Sequence, residues 1–241
     1  MNYIFLIAGK GTRLHPITLD YPKSLYKLDD QMTVFERMIA LIQESDPTAN
    51  IVAVTGFQHQ KIEAISKSIT YVYNPFYEVT NSIASLWFAE KYMDGDTVLI
   101  NGDIVMERDL VQNVLCAPIN RTEVLLDRAI KQNGDYNVQV NADNVVVMSK
   151  QLDEYYGEYA GVTRISASDI TQYKKSLDAM IDKGVYTCWH EDLLVQMIFR
   201  ENFSLGFCDI AQYEWTEIDC VSDLVNAKKI QSRENFNIKH I

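Results

Sequence analysis

Short apolar runs separated by longer amphipathic stretches set the pattern of the first half of the chain. The runs at residues 3–8, 50–55, 70–73, 97–101 and 122–127 are rich in Val, Ile and Leu and end at or just before Gly, Asn or Asp. That is how strands buried on both faces read. Between them, Thr33-x-x-Glu36 has the spacing of a capping box and opens an amphipathic helix to Gln43. Residues 58–67 and 82–92 carry apolar positions at helical spacing and predict two further helices. Strand and helix alternate, so the pattern predicts an α/β architecture with a mostly parallel sheet flanked by helices.

The second half changes character. Residues 136–140 and 145–149 alternate apolar and polar around Asn141-Ala142-Asp143-Asn144, which predicts a hairpin. Residues 159–165 read as a strand, 168–183 as a helix stopped by Gly184, 193–200 as another helix and 222–230 as a last one. No repeat, low-complexity tract or linker composition interrupts the chain, so one domain over residues 1–241 is the expectation.

At 241 residues with 47% hydrophobic content, such a domain can bury a full core. The formal charge is 22 − 33 = −11, which argues against general binding of nucleic acid or anionic membranes. The first 27 residues run the other way, with Lys10, Arg13, Lys23 and Lys27 against Asp20, or +3. An acidic protein with a locally basic entrance suits a small anionic ligand better than a polymer. Cys116, Cys188, Cys208 and Cys220 lack C-x-x-C spacing and read as reduced core thiols; His15, His59, His190 and His240 share no metal-ligand spacing. The opening residues have no basic region ahead of a long apolar run, so neither a signal peptide nor membrane insertion is expected, and the expected location is cytoplasmic.

The candidate chemistry begins where the first strand ends. Leu6-Ile7-Ala8-Gly9-Lys10-Gly11-Thr12-Arg13-Leu14, followed by Pro22-Lys23, joins a buried run to a Gly-rich loop with cations on both sides. Glycines let backbone N–H groups close on a polyphosphate without Cβ clashes, and Arg13 and Lys23 supply charge for it. The dinucleotide pattern G-x-G-x-x-G fails at Leu14, and the Walker pattern is absent. A tight turn with solvated cations is the competing reading. Asp103 follows another apolar strand, at the end where α/β sheets bind ligands, and Asp219 precedes the last helix; either could equally be a turn residue. Thr80, Asn81 and Ser82 offer short polar groups at a helix start, where capping alone would also account for them.

Taken whole, the segment from Leu6 through Pro22-Lys23-Ser24, with Asn101-Gly102-Asp103 and Glu217-Ile218-Asp219, resembles the nucleotidyltransferases that activate sugar phosphates and phospho-alcohols. Within that superfamily the chain is most similar to the small bacterial cytidylyltransferases of the choline-phosphate type, from Met1 to about Ala227, with Ile7 standing where the family usually has Ala. The resemblance implies a Rossmann-like single domain with a mostly parallel mixed sheet, residues 1–115 binding nucleotide and about 116–230, including a small β-hairpin insertion, binding the acceptor. It implies transfer of CMP from CTP to a small phosphorylated alcohol such as phosphocholine, or a related aminoalkyl phosphate or phosphonate, with release of pyrophosphate, to activate a cell-surface glycan or lipid decoration. Mg²⁺ would be held by Asp103 and Asp219. Lys23 would reach the α-phosphate and acceptor phosphate, and Arg13 the departing phosphates. Leu6, Ala8, Gly9, Lys10, Gly11, Thr12 and Asp103 would bind nucleotide, with Thr55, Gly56, Thr80, Asn81 and Ser82 near its base and sugar.

An acceptor carrying an ammonium group calls for aromatic faces beside carboxylates. Glu158, Tyr159, Trp189, Glu191 and Asp192 are the candidates for that pocket. A phosphate nucleophile is already ionised near neutral pH, so neither His15 nor His190 is required as a base. Two other readings stay open: a sugar-1-phosphate nucleotidyltransferase, and a non-catalytic nucleotide-binding regulatory module. A homodimer is the candidate assembly.

Overall fold

The computed structural model describes residues 1–14, 19–129 and 136–234. His15, Pro16, Ile17 and Thr18, inside the first motif, and His240 lie outside the described residues. The first half runs β1 (Asn2–Ile7), α1 (Val34–Ser45), β2 (Asn50–Thr55), α2 (His59–Glu63), β3 (Thr70–Tyr73), α3 (Ser82–Phe88), β4 (Thr97–Asn101) and β5 (Ile104–Met106). A short helix α4 (Arg108–Leu110) continues as a π-helical stretch, Val111–Leu115. Then follow β6 (Glu123–Asp127), β7 (Asn137–Asn141), β8 (Asn144–Ser149), β9 (Gly157–Ile165), α5 (Ile170–Asp182), α6 (Glu191–Glu201), β10 (Gly206–Asp209), β11 (Trp215–Glu217) and α7 (Val221–Arg233).

Nine strands form one mixed sheet in the order β3-β2-β1-β4-β9-β6-β10-β8-β7, and β5 pairs with β11 in a separate ribbon. The first four strands are parallel, with Ile4 level with both Val52 and Leu99, so their carboxyl ends share one edge at Ile7, Thr55 and Asn101. β9 enters antiparallel against β4 and β6. Period-two alternation sorts β1 between two layers. Tyr3, Phe5 and Ile7 pack with Phe35, Met38 and Ile42 of α1, while Ile4 packs with Ile83 and Leu86 of α3 and with α5 and α6 residues such as Leu177 and Leu194. The α7 residues Ala227 and Ile230 seal a third cluster over Leu14, Tyr26, Val105 and Ile218, next to the Gly-rich loop.

Capping chemistry read from sequence is present in detail: the Glu36 amide donates to Thr33 Oγ1 at 3.3 Å, and the Thr33 amide donates to the Glu36 carboxylate at 2.8 Å. Gly184 ends its helix with φ +76°, the left-handed conformation that favours glycine. The expected helix over 58–67 shrinks to α2, because Ser66 and Ser68 turn their hydroxyls onto each other and onto the Ser68 amide and divert the backbone. The helix expected to run to Tyr92 stops at Phe88 and resumes as a 3₁₀ turn, Glu90–Tyr92. β5, β10, β11 and the helix after Glu107 were not legible, being too short to show a period. Cys220 is exposed at the head of α7 rather than in the core, and all four cysteines are free thiols.

Candidate active site

The loop after β1, the 3₁₀ turn Thr12–Leu14 and the 3₁₀ turn Lys23–Leu25 converge at the carboxyl edge of the parallel strands. Leu14 is buried and its amide donates to the Gly11 carbonyl, which leaves Arg13 turned outward beside the loop. Gly11 has φ +62°, and a Cβ there would lie 2.8 Å from Cγ of Lys23. The lysine stem therefore crosses the glycine backbone directly, which ties the two halves of the motif together and excludes any side chain at Gly11.

A second glycine does related work. A Cβ on Gly102 would fall 2.0 Å from Cγ2 of Ile7. The branched side chain of Ile7 thus packs onto the turn carrying Asp103. That turn is coupled to the other acidic loop: the Ile218 amide donates to the Asp103 carbonyl at 3.0 Å, and Glu217 pairs with Ile104 across the β5–β11 ribbon. The Asp219 and Cys220 amides donate to Asp223 at 3.0 and 2.8 Å, fixing the approach to α7.

The result is a compact charged cluster. Asp103, Glu217 and Asp219 each present a carboxylate oxygen, all within 4.8 Å of one another, in an arrangement that could hold a cation. Lys23 Nζ donates to Asp103 at 3.0 Å and also to Asp219, and Arg13 donates to Asp219 at 2.6 Å. Burial alone would push the Lys23 ammonium down, but the two aspartates outweigh it and hold it above the usual lysine value. Burial raises Asp103 above the usual carboxylate range; Lys23 opposes that shift and Asp219 adds to it. Glu217 stands in the Glu217-Ile218-Asp219 motif without a role expected for it; its spacing of two from Asp219 was the available signal.

A cavity of about 320 Å³ opens from this cluster along the sheet edge. Its walls include Leu6, Ala8, Gly9, Lys10, Gly11, Thr12, Arg13 and Lys23 from the first motif, Thr80, Asn81 and Ser82 at the start of α3, Asp103, and Tyr159, Trp189 and Glu191 from β9 and around the start of α6. Thr80 and Asn81 are committed locally as well: Thr80 Oγ1 donates to the Phe76 carbonyl, and Asn81 Oδ1 accepts from the Ser82 amide. Lys10 reaches out to Glu78 at 2.6 Å.

Four expected residues take other places. Thr55 is fully buried and donates to Glu63 at 3.0 Å, and Gly56 is pressed behind the loop, where a Cβ would meet the Ala8 carbonyl at 2.7 Å. Neither is among the residues that line the cavity: Thr55 is tied to α2, and Gly56 packs against the loop backbone at Ala8. Glu158, on β9 opposite Asp127 and Asn137, is also outside the lining. Asp192 is used as a clamp, accepting from the Tyr136 hydroxyl at 2.8 Å and the Trp189 amide at 2.9 Å.

Asp192 thus ties the Tyr136 hydroxyl to the Trp189 backbone, and both residues line the cavity. Lys150 Nζ lies 4.6 Å from the Trp189 ring centroid and 5.6 Å from that of Tyr136. Glu191 is buried beside them, with the Asn101 amide 3.4 Å from one carboxylate oxygen and His190 Nδ1 3.1 Å from the other. Burial pushes the His190 imidazole below its usual pKa, against the pull of Glu191 and Asp192. Tyr136 and Lys150 had no legible signal, lying far from Trp189 in sequence with no motif around either.

Comparison with known proteins bears on this geometry at three levels. A choline-phosphate cytidylyltransferase of Haemophilus influenzae is 34% identical over 112 residues, 46% of this chain and 47% of that protein. A bifunctional protein GlmU of Methanococcus maripaludis is 31% identical over 118 residues, 48% of this chain and 27% of that one, so the chain spans about half or less of the length of these relatives. The solved CTP:phosphocholine cytidylyltransferase of Streptococcus pneumoniae (LicC) superposes with a TM-score of 0.75 at 19% identity, covering 95% of this chain and 98% of that one, a likeness of fold. The family model described as nucleotidyl transferase matches residues 2–136, more than half of the chain and the span that holds the Gly-rich loop, Lys23 and Asp103. The protein accordingly belongs to the nucleotidyl transferase family.

Proposed function

We propose that the protein transfers CMP from CTP to phosphocholine or a closely related aminoalkyl phosphate or phosphonate, releasing pyrophosphate. The observation that carries the acceptor assignment is the pair of rings, Trp189 and Tyr136, clamped by Asp192 at the far end of the cavity that begins at the Gly-rich loop. Aromatic faces next to a buried carboxylate, Glu191, favour a cation with little hydration, such as a quaternary ammonium.

An oxygen of the acceptor phosphate attacks the α-phosphorus of the nucleotide, the bond to the β-phosphate breaks, and pyrophosphate leaves. Both reactants are anionic, so the work lies in orientation and charge neutralisation rather than in proton removal. Lys23 is assigned to the α-phosphate, where negative charge concentrates during attack; its neighbouring carboxylates keep it protonated across the physiological range. Arg13 is assigned to the β- and γ-phosphates, which its forked guanidinium can bind through two donors. Backbone amides of residues 8–11 cradle the polyphosphate, and Thr80, Asn81 and Ser82 face the base and ribose.

Asp103, Glu217 and Asp219 make an all-oxygen, hard donor set that fits Mg²⁺. When bound there, Mg²⁺ supplies charge neutralisation to the reacting phosphates. No helix among the described residues is long and apolar enough to cross a membrane, in keeping with a proposed cytoplasmic reaction. The test is pyrophosphate release with each of CTP, UTP, dTTP and GTP against phosphocholine, phosphoethanolamine, 2-aminoethylphosphonate, glucose 1-phosphate and inositol 1-phosphate. Highest kcat/KM for CTP with a cationic acceptor is expected. Preference for a sugar phosphate would replace this reading with NDP-sugar synthesis.

A further inference from the structure

We propose that Lys150 is a tethered occupant of the acceptor's ammonium site, and that an acceptor enters by displacing it. The inference rests on the reading of that end of the cavity as a cation pocket. Lys150 directly follows β8 and is an exposed residue, yet its Nζ lies 4.6 Å from the Trp189 ring centroid and 5.6 Å from that of Tyr136. Both distances are within reach of the aromatic quadrupole. Lys61 and Lys91 also lie over tyrosines, at 4.3 and 4.9 Å, but each sits over one ring outside the cavity. Lys150 is placed over two rings, and a single carboxylate, Asp192, accepts from the Tyr136 hydroxyl and from the Trp189 backbone amide.

The pocket thus accepts a cation, and the chain supplies one. A site filled by its own lysine binds an external ligand with an affinity reduced by the fraction of time the lysine is away. A quaternary ammonium recovers that loss, since it takes over both ring contacts while its phosphate is held at the other end of the cavity. Every ligand that needs the rings loses the same factor, so the competition sets the strength of the site and not its ranking of ligands. Lys150 in this sense raises the apparent Kd and KM of the acceptor by competition.

Binding of tetramethylammonium, measured by NMR titration on the full chain, tests this without turnover. Lys150→Ala is expected to bind it about three- to thirtyfold more tightly than wild type, the range that corresponds to losing a cation–π competitor. Lys150→Arg, whose guanidinium also stacks on indole, is expected to bind as wild type does. Equal or weaker binding by Lys150→Ala overturns the competition while leaving the pocket; binding by none of the three proteins overturns both. The KM for phosphocholine with CTP is expected to fall by a similar factor in Lys150→Ala. If phosphocholine is turned over by neither protein while tetramethylammonium binding still tightens, the acceptor assignment falls and the competition stands.

Discussion

The two ends of the cavity are built on different principles. At the phosphate end, one continuous segment supplies loop, cations and turn, and the backbone itself makes the fit: Gly11 at φ +62° lets the Lys23 stem pass, and Gly102 admits Ile7. At the acceptor end, Tyr136, Lys150, Tyr159, Trp189 and Glu191 arrive from four separate elements or loops, and side chains make the fit. On the proposed function, the first end holds the reacting phosphates and the second selects the acceptor. Substitutions at the phosphate end are therefore expected to act on kcat, and those at the acceptor end on a single KM.

The largest effects should come from the acidic cluster and Lys23. Asp103→Asn or Asp219→Asn is expected to lower kcat by on the order of 10²-fold or more with the fold retained, and EDTA to abolish activity until Mg²⁺ is restored. Steady-state kinetics and circular dichroism on the same preparations check this; wild-type turnover in Asp219→Asn removes that residue from the site. Lys23→Ala should also cost on the order of 10²-fold in kcat, while Arg13→Ala raises the nucleotide KM as well. An unchanged kcat in Lys23→Ala would contradict its assignment to the α-phosphate.

The backbone fit can be broken and mended. Gly102→Ala should destabilise the Asp103 turn by roughly 1–3 kcal/mol through overpacking against Ile7, and combining it with Ile7→Ala should recover most of that loss. Thermal melts of the two single variants and the double variant measure the coupling; additive losses would mean that the two positions do not interact.

A smaller, pH-dependent effect belongs to the acceptor end. His190 is buried between Ser82 and Glu191, with Asp192 nearby, and its folded pKa lies below the usual 6.5. The unfolded chain therefore binds a proton that the folded chain resists. This contribution is fully present above about pH 6.5 and is lost as pH falls below it, with a limiting slope of about 1.4 kcal/mol per pH unit. Denaturant melts between pH 8 and 5.5 should show wild-type stability falling below about pH 6.5, and a shallower fall in His190→Gln; equal falls would exclude His190 as the source.

The same contrast explains what could be read from sequence. Strand runs buried on both faces, a capping box at Thr33 and Glu36, and a contiguous loop with Lys23 are local features, so the parallel half of the sheet and the phosphate end were legible. β5, β10 and β11 have no period to show, and their positions follow from pairing with distant strands. Trp189 and Glu191 were singled out by the resemblance and by an aromatic residue standing beside carboxylates. Tyr136 and Lys150 become partners of Trp189 through tertiary folding of the hairpin. Thr55 and Gly56, a pair at a strand end, lie outside the cavity lining, the first tied to Glu63 and the second against the Ala8 carbonyl.

The division of labour between the two ends is tested most directly by kcat/KM for phosphocholine and for its neutral isostere, 3,3-dimethylbutyl phosphate, in wild type and Trp189→Ala. The wild-type enzyme should prefer the cation by about two- to thirtyfold, the equivalent of a cation–π contact of 0.5–2 kcal/mol, and Trp189→Ala should lose that preference while the CTP KM stays constant. A preference that survives in Trp189→Ala, or a CTP KM that rises with it, would contradict an acceptor end that reads charge through its aromatic rings independently of the phosphate end.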